Sequence, residues 1–260
     1  MGLLGRARAL RAIILLCLIG FGPVTALKAG TLDLPDAVVR SAEPFGLSAS
    51  LLSEGGLRDK WLGVERKLDD ERVQLALCDG DRERCVSAAA LQLLAIVDLG
   101  RARQGRARLG EINRAINLAI HPMSDLAQYG QIDVWSSPLV TFTHAAGDCE
   151  DYAIAKYVAL RLAGISADDL RLVVLHDTVR GEDHAVAAAR LDGHWLMLDN
   201  IRMAMIEDGD VRNYRPLFVL DDRGVMRYGD APLMAAMPDR DPTLLALNLI
   251  GQAMTVPSPD

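Results

Sequence analysis

The chain has 260 residues and a mass of 28.2 kDa, with 50% hydrophobic, 24% charged and 5% aromatic residues. This excludes disorder and collagen-like repeats and leaves room for one good core or two small ones. A balance of 28 Lys+Arg against 35 Asp+Glu gives a formal charge of −7, with no net attraction to a nucleic-acid backbone, and 4 cysteines are too few for a disulfide scaffold.

In chain order, the first segment reads as an export signal. Arg6, Arg8 and Arg11 precede a short apolar run, Ala12 to Phe21, and Val24-Thr25-Ala26 supplies small residues for cleavage. A spanning helix needs about twenty apolar residues, so the mature chain is not expected to cross a membrane. Cleavage after Ala26 removes three arginines, no acid and Cys17, taking the charge from −7 to −10 and leaving Cys78, Cys85 and Cys149. The mature part, residues 27–260, is expected to form a single domain with its core at about 60–230.

Between Cys78 and Cys85 lies the polar, turn-forming Asp79-Gly80-Asp81-Arg82-Glu83-Arg84, which can bring the two sulfurs into a disulfide. A zinc site is the competing reading, but no further Cys or His pair stands near at ligand spacing. Val86 to Arg103 predicts an apolar core helix and Leu109 to Ile120 a second helix against it. Arg101, Arg103, Arg106 and Arg108 at their junction read as helix-end charges on a solvated turn.

That leaves Cys149 as a lone thiol, whose plainest role is a buried structural one. Its neighbours argue otherwise. Ile154, Tyr157, Val158 and Leu162 form an apolar stripe at helical spacing, Gly164 is a stop, and Asp148 is a natural N-cap with Asp151 three residues on. Cys149 would then be the first helical residue, where the helix dipole favours the nucleophilic thiolate.

A thiolate nucleophile needs a base. Asp192-Gly193 is a two-residue hairpin signal between His184–Leu191 and His194–Asp199. Pairing Leu191 with His194 sets Arg190 opposite Trp195 and Val186 opposite Asp199, so His184 and Asp199 become diagonal neighbours on one face of the sheet. Such a pair is roughly 7–8 Å apart by backbone, within reach of an imidazole–carboxylate hydrogen bond. His176, after Val173-Val174-Leu175, is an alternative base; His144 falls in a loop before the helix, where solvation is the default. Leu217–Leu220 and Val225–Tyr228 read as another hairpin, and the C-terminal stretch with Pro232, Pro238, Pro242, Pro257 and Pro259 as a helix with poorly ordered flanks. Helices first and sheet second is an α+β pattern.

Gly147-Asp148-Cys149-Glu150-Asp151-Tyr152-Ala153-Ile154-Ala155-Lys156-Tyr157, then Asp183-His184-Ala185-Val186 and Trp195-Leu196-Met197-Leu198-Asp199-Asn200, resembles the bacterial transglutaminase-like cysteine proteinase family of the LapG type. Ile112-Asn113-Arg114-Ala115-Ile116-Asn117 is similar to its paired-Asn helix segment, and Asp133-Val134-Trp135-Ser136-Ser137-Pro138 to its approach to the nucleophile. The type carries an acid after that segment, where this chain has Leu139-Val140-Thr141.

The resemblance implies a papain-like, transglutaminase-type α+β fold with N-terminal helices on an antiparallel sheet, a periplasmic location, and Cys149, His184 and Asp199 as nucleophile, base and orienting acid. It also implies calcium (Ca2+), with Asp148 and Glu150 as matching ligands and Asp151 as a further acid; helix capping is the competing reading of these acids. Members cut large surface adhesins near their N-termini, which releases cells from biofilm, and are sequestered by an inner-membrane receptor sensing a cyclic dinucleotide, a contact for which Trp135 is the candidate anchor here. The same triad could serve an acyltransferase, and a non-catalytic calcium-gated binding module is a reading of another class.

Overall fold

Ser87 Oγ accepts the Ala90 N–H at 3.1 Å and starts α2 (Ala88–Arg101), whose Ala90, Leu93, Leu94 and Val97 are fully buried at helical spacing. The computed structural model describes residues 43–229. The export signal expected at 1–26 and the helix expected in the C-terminal proline-containing stretch lie outside the described residues.

Helix α3 (Gly105–Ala119) buries Leu109, Ile112 and Ile116 against α2, where a Cβ on Gly100 would stand 2.5 Å from Ile112 Cδ1, so only glycine permits the approach. Both helices match the expected apolar stretches within a few residues. A longer one was not foreseen: α1 (Gly56–Gly80) carries 25 residues and buries Trp61, Val64, Glu71, Leu75 and Cys78 at alternating spacings of three, four and seven. Cys78 at its end is bridged to Cys85, so the expected disulfide joins α1 to the approach of α2. Arg101 donates to Leu162 O and pairs with Asp79, which accounts for one member of the arginine cluster as a helix-end charge.

Two short strands, β2 (His121–Pro122) and β3 (Ala146–Gly147), pair in parallel around α4 (Asp125–Tyr129) and α5 (Pro138–His144). Directly after β3 comes α6 (Cys149–Leu162), almost wholly buried. Ala153, Ala155 and Ala159 keep its surface slim, and it packs on the alanines of the sheet.

That sheet has seven antiparallel strands in the order β1-β9-β8-β4-β5-β6-β7, namely β1 (Ala49–Leu51), β9 (Gly224–Tyr228), β8 (Tyr214–Asp221), β4 (Leu170–Asp177), β5 (Glu182–Leu191), β6 (His194–Leu198) and β7 (Ile206–Glu207). Asp192 (φ 51°) and Gly193 (φ 84°) both have positive φ, the requirement of a type I′ hairpin, and Leu191 pairs with His194 and Arg190 with Trp195 as the turn dictates. Alternation sends Leu172, Ala185, Ala187, Leu196 and Leu198 toward the helices, and Val173, Leu175, Val186, Trp195 and Met197 into a second apolar layer on the other face. The architecture is α+β, helices packed on an antiparallel sheet. Among the described residues no helix is long and apolar enough to cross a membrane.

Candidate active site

Cys149 is the first residue of α6, as the capping pattern requires, and its sulfur is a free thiol in a partly buried position. It donates to Glu150 Oε2 at 3.1 Å. Burial, then the charge of Glu150, pushes the thiol well above its ordinary range; the Ala185 N–H faces the sulfur and favours the thiolate. Helix α6 packs on β5, the strand that carries His184.

His184 Nε2 lies 2.9 Å from Asp199 Oδ1, with both side chains buried. The hairpin register thus delivers the diagonal pair that the sequence implied. Against the cost of burial, the hydrogen bond and charge of His184, the Tyr214 hydroxyl and the Ile201 N–H hold Asp199 below the ordinary carboxylate range. An ionised carboxylate only accepts, so Nε2 carries a proton, and in the neutral imidazole Nδ1 is then the nitrogen with the free lone pair. His176 does not compete: its Nδ1 lies 2.8 Å from Asp183 Oδ1 in a solvent-accessible pair. His144 is exposed, at the end of α5 with its ring edge-on to Tyr129.

Four residues that sequence reasoning gave no such role secure the Asp199 segment. Asn117 Nδ2 donates to Asp199 O at 2.9 Å and Asn113 Nδ2 to Met203 O at 3.1 Å, so the paired asparagines of α3 clamp the loop after β6. Lys156 Nζ, on a side chain with no exposure, donates to Leu198 O at 3.2 Å, and burial lowers its pKa to about 7 against the opposing pull of Asp199. Tyr214 donates its hydroxyl to Asp199 Oδ2. The asparagines belong to the paired-Asn segment Ile112–Asn117; nothing local marks Tyr214.

Asp125, Asp148 and Glu150 bring one carboxylate oxygen each to within 4.8 Å of one another. Asp148 makes no side-chain capping bond, so the capping reading does not account for it. Burial raises the carboxyls of Asp148 and Glu150, with the Asp148 charge adding to the latter, and lifts Asp125 to about 6. Asp125 Oδ1 and Asp148 Oδ1 are buried without a hydrogen-bond partner. Hard oxygen donors with unspent lone pairs fit a divalent cation. Asp151, grouped with these acids in the sequence, is not in this set: its Oδ1 accepts the Ser136 N–H at 2.8 Å, and burial raises it to about 7. Asp125 takes its place, 23 positions upstream of Asp148, a separation at which no local spacing pattern points to it.

The sequence model of the bacterial transglutaminase-like cysteine proteinases (BTLCP) matches residues 74–215, more than half of the chain. The chain belongs to that family. It is therefore a cysteine protease of transglutaminase-like fold, and the matched span contains Cys149, His184, Asp199 and the three clustered acids. Among solved structures it is similar to Legionella pneumophila LapG. The calcium-bound form has 21% identity and a TM-score of 0.48 over 56% of this chain and 82% of that one. The EGTA-treated form has 20% identity and a TM-score of 0.49 over 64% and 88%. Comparison with curated proteins gives no match.

The approach segment of this BTLCP member is strung between helices. Lys67 donates to Trp135 O, Asp151 accepts from Ser136 N, and Glu71 accepts from Ser137 Oγ and Leu139 N, so α1 and α6 hold it from two sides. Trp135 itself is 9% exposed and belongs to the core, with Nε1–H on Asp133 Oδ1. A partner anchor must be open to solvent, so the burial of Trp135 runs against that expectation.

Proposed function

We propose that Cys149, His184 and Asp199 are the nucleophile, general base and orienting acid of a calcium-dependent endopeptidase. The observation that carries this reading is the His184 Nε2–Asp199 Oδ1 hydrogen bond, with Cys149 opening the helix that packs on the strand of His184. His184 Nδ1 takes the thiol proton as Sγ attacks the peptide carbonyl carbon. Backbone N–H groups at the start of α6 face the oxyanion, and His184 returns the proton to the amine as the C–N bond breaks and a thioester forms. Water then loses a proton to His184, its oxygen attacks the thioester carbon, and the thiol is released with a carboxylic acid.

Asp125, Asp148 and Glu150 would hold the cation, whose positive charge would offset the acids that otherwise oppose the thiolate. The substrate proposed is the N-terminal region of a large surface adhesin, cut in the periplasm and so controlling biofilm attachment. An inner-membrane receptor sensing a cyclic dinucleotide is the proposed sequestering partner. Both are carried by the family resemblance, and the export signal supports the compartment.

Incubation of candidate adhesin fragments with the protein tests the reading, with excess chelator in one arm and a primary amine in another. Chelator-sensitive cleavage to two fragments supports it. Amine adducts without cleavage would assign the same triad to acyl transfer, and cleavage unchanged by chelator would remove the calcium role.

A further inference from the structure

Asp199 spends both carboxylate oxygens. Oδ1 takes the imidazole of His184 at 2.9 Å and the Ile201 N–H at 3.1 Å, while Oδ2 takes the Tyr214 hydroxyl. The carboxylate only accepts here, so the phenol is the donor. Tyr214 opens β8 beside Asp177 of β4, and its ring stands 6.0 Å from the His184 ring at 56°. On the same aromatic ring the Arg202 guanidinium sits 5.8 Å from the centroid. A tyrosine serving only to fill the core needs no partner on the orienting acid and no contact with the base. Tyr214 has both.

We propose that Tyr214 is a positioning residue of the protease reaction, its hydroxyl locking the Asp199 carboxylate in the one rotation that holds His184 with Nε2 protonated and Nδ1 free for the thiol. The proposal rests on the triad reading. Without the hydroxyl, Oδ2 is a buried acceptor with nothing to bond, so the carboxylate gains by turning toward other donors and the imidazole loses its fixed tautomer. Phenylalanine keeps the ring against His184 and Arg202 and removes only the donor.

Two readouts that need no substrate test this. Long-range proton–nitrogen spectra of histidine-labelled protein report the tautomer of His184, and mass spectrometry follows the rate at which iodoacetamide alkylates Cys149. The expected result for Tyr214→Phe is a folded protein with a modestly lowered melting temperature, a mixed His184 tautomer and alkylation slowed about tenfold, the scale of one lost hydrogen bond to a charged group. Added to Asp199→Asn, the same change should slow alkylation no further.

A Y214F protein with the original tautomer and rate overturns the proposal. So does an equal slowing on the Asp199→Asn background, since the effect would not then pass through Asp199. If Asp199→Asn alone changes neither readout, the triad reading itself fails, an outcome distinct from a silent Y214F. Should Y214F fail to fold, 3-fluorotyrosine in place of all 5 tyrosines keeps their shape and strengthens the donor. The His184 Nε2–H resonance must then move, and no movement overturns the proposal.

Discussion

Asn117 Nδ2 on α3 donates to the backbone carbonyl of Asp199 at 2.9 Å, so a helix remote in sequence sets where the orienting acid sits. Asn113, one turn earlier, holds Met203 O of the same loop. The pair lies at helical spacing, faces one loop, and spans both ends of its turn.

Asn117→Ala removes the clamp but no reacting group. We expect a loss of about 1–2 kcal/mol in urea unfolding, as for a part-buried hydrogen bond, together with slower alkylation of Cys149. Unchanged alkylation at reduced stability would show that Asn117 serves the fold alone.

The cation site makes an unequal prediction for two acids. Calcium should raise the melting temperature of the protein, and Asp125→Asn should remove most of that rise because it takes away one of the three carboxylates that would hold the cation. Asp151→Asn retains an oxygen for the Ser136 N–H and should leave the rise largely intact. At a hundred times its dissociation constant a ligand stabilises by about 2.7 kcal/mol, enough to read by calorimetry. The reverse ranking would return Asp151 to the ligand set.

Lys156 gives stability a pH dependence of known sign. Burial lowers its pKa in the folded protein from an ordinary 10.5 to about 7, against the opposing pull of Asp199. Between those values the unfolded chain binds the extra proton, so this group's contribution rises as pH rises from 7 to 10 and is level below 7. Measured against Lys156→Met in urea, the unaltered protein should gain stability over that interval. A difference that stays constant with pH would contradict a buried lysine of lowered pKa.

The Cys78–Cys85 bridge closes a loop of sequence separation 7, for which chain entropy gives about 2–3 kcal/mol. Replacing both cysteines by alanine should cost that order in denaturant unfolding and leave Cys149 alkylation unaltered, since the bridge joins α1 to α2 rather than to the site. A slowed alkylation would mean that α1 transmits the loss through Lys67 or Glu71 to the approach segment.

What the sequence made legible was local. Asp192-Gly193 dictates a turn, the turn dictates register, and register brings His184 to Asp199; Asp148 and the apolar stripe after it place Cys149 at a helix start. What escaped depends on long-range pairing. Asp125 reaches Asp148 because β2 runs parallel to β3, with Pro122 beside Gly147. Tyr214 reaches Asp199 because β8 lies next to β4. Helix α1 was hidden because its buried face includes Glu71, an acid that reads as solvated until Ser137 and Leu139 are seen to bond it. Trp135, the expected anchor for a partner, has its ring in the core instead, which no local pattern around it reveals.

The central claim, that the Cys149 thiol performs the cleavage, is tested most directly by Cys149→Ala in the adhesin-fragment assay with calcium present. The account predicts complete loss of cleavage by a protein that melts normally and still binds the fragment. Cleavage that persists in the folded alanine variant would contradict it.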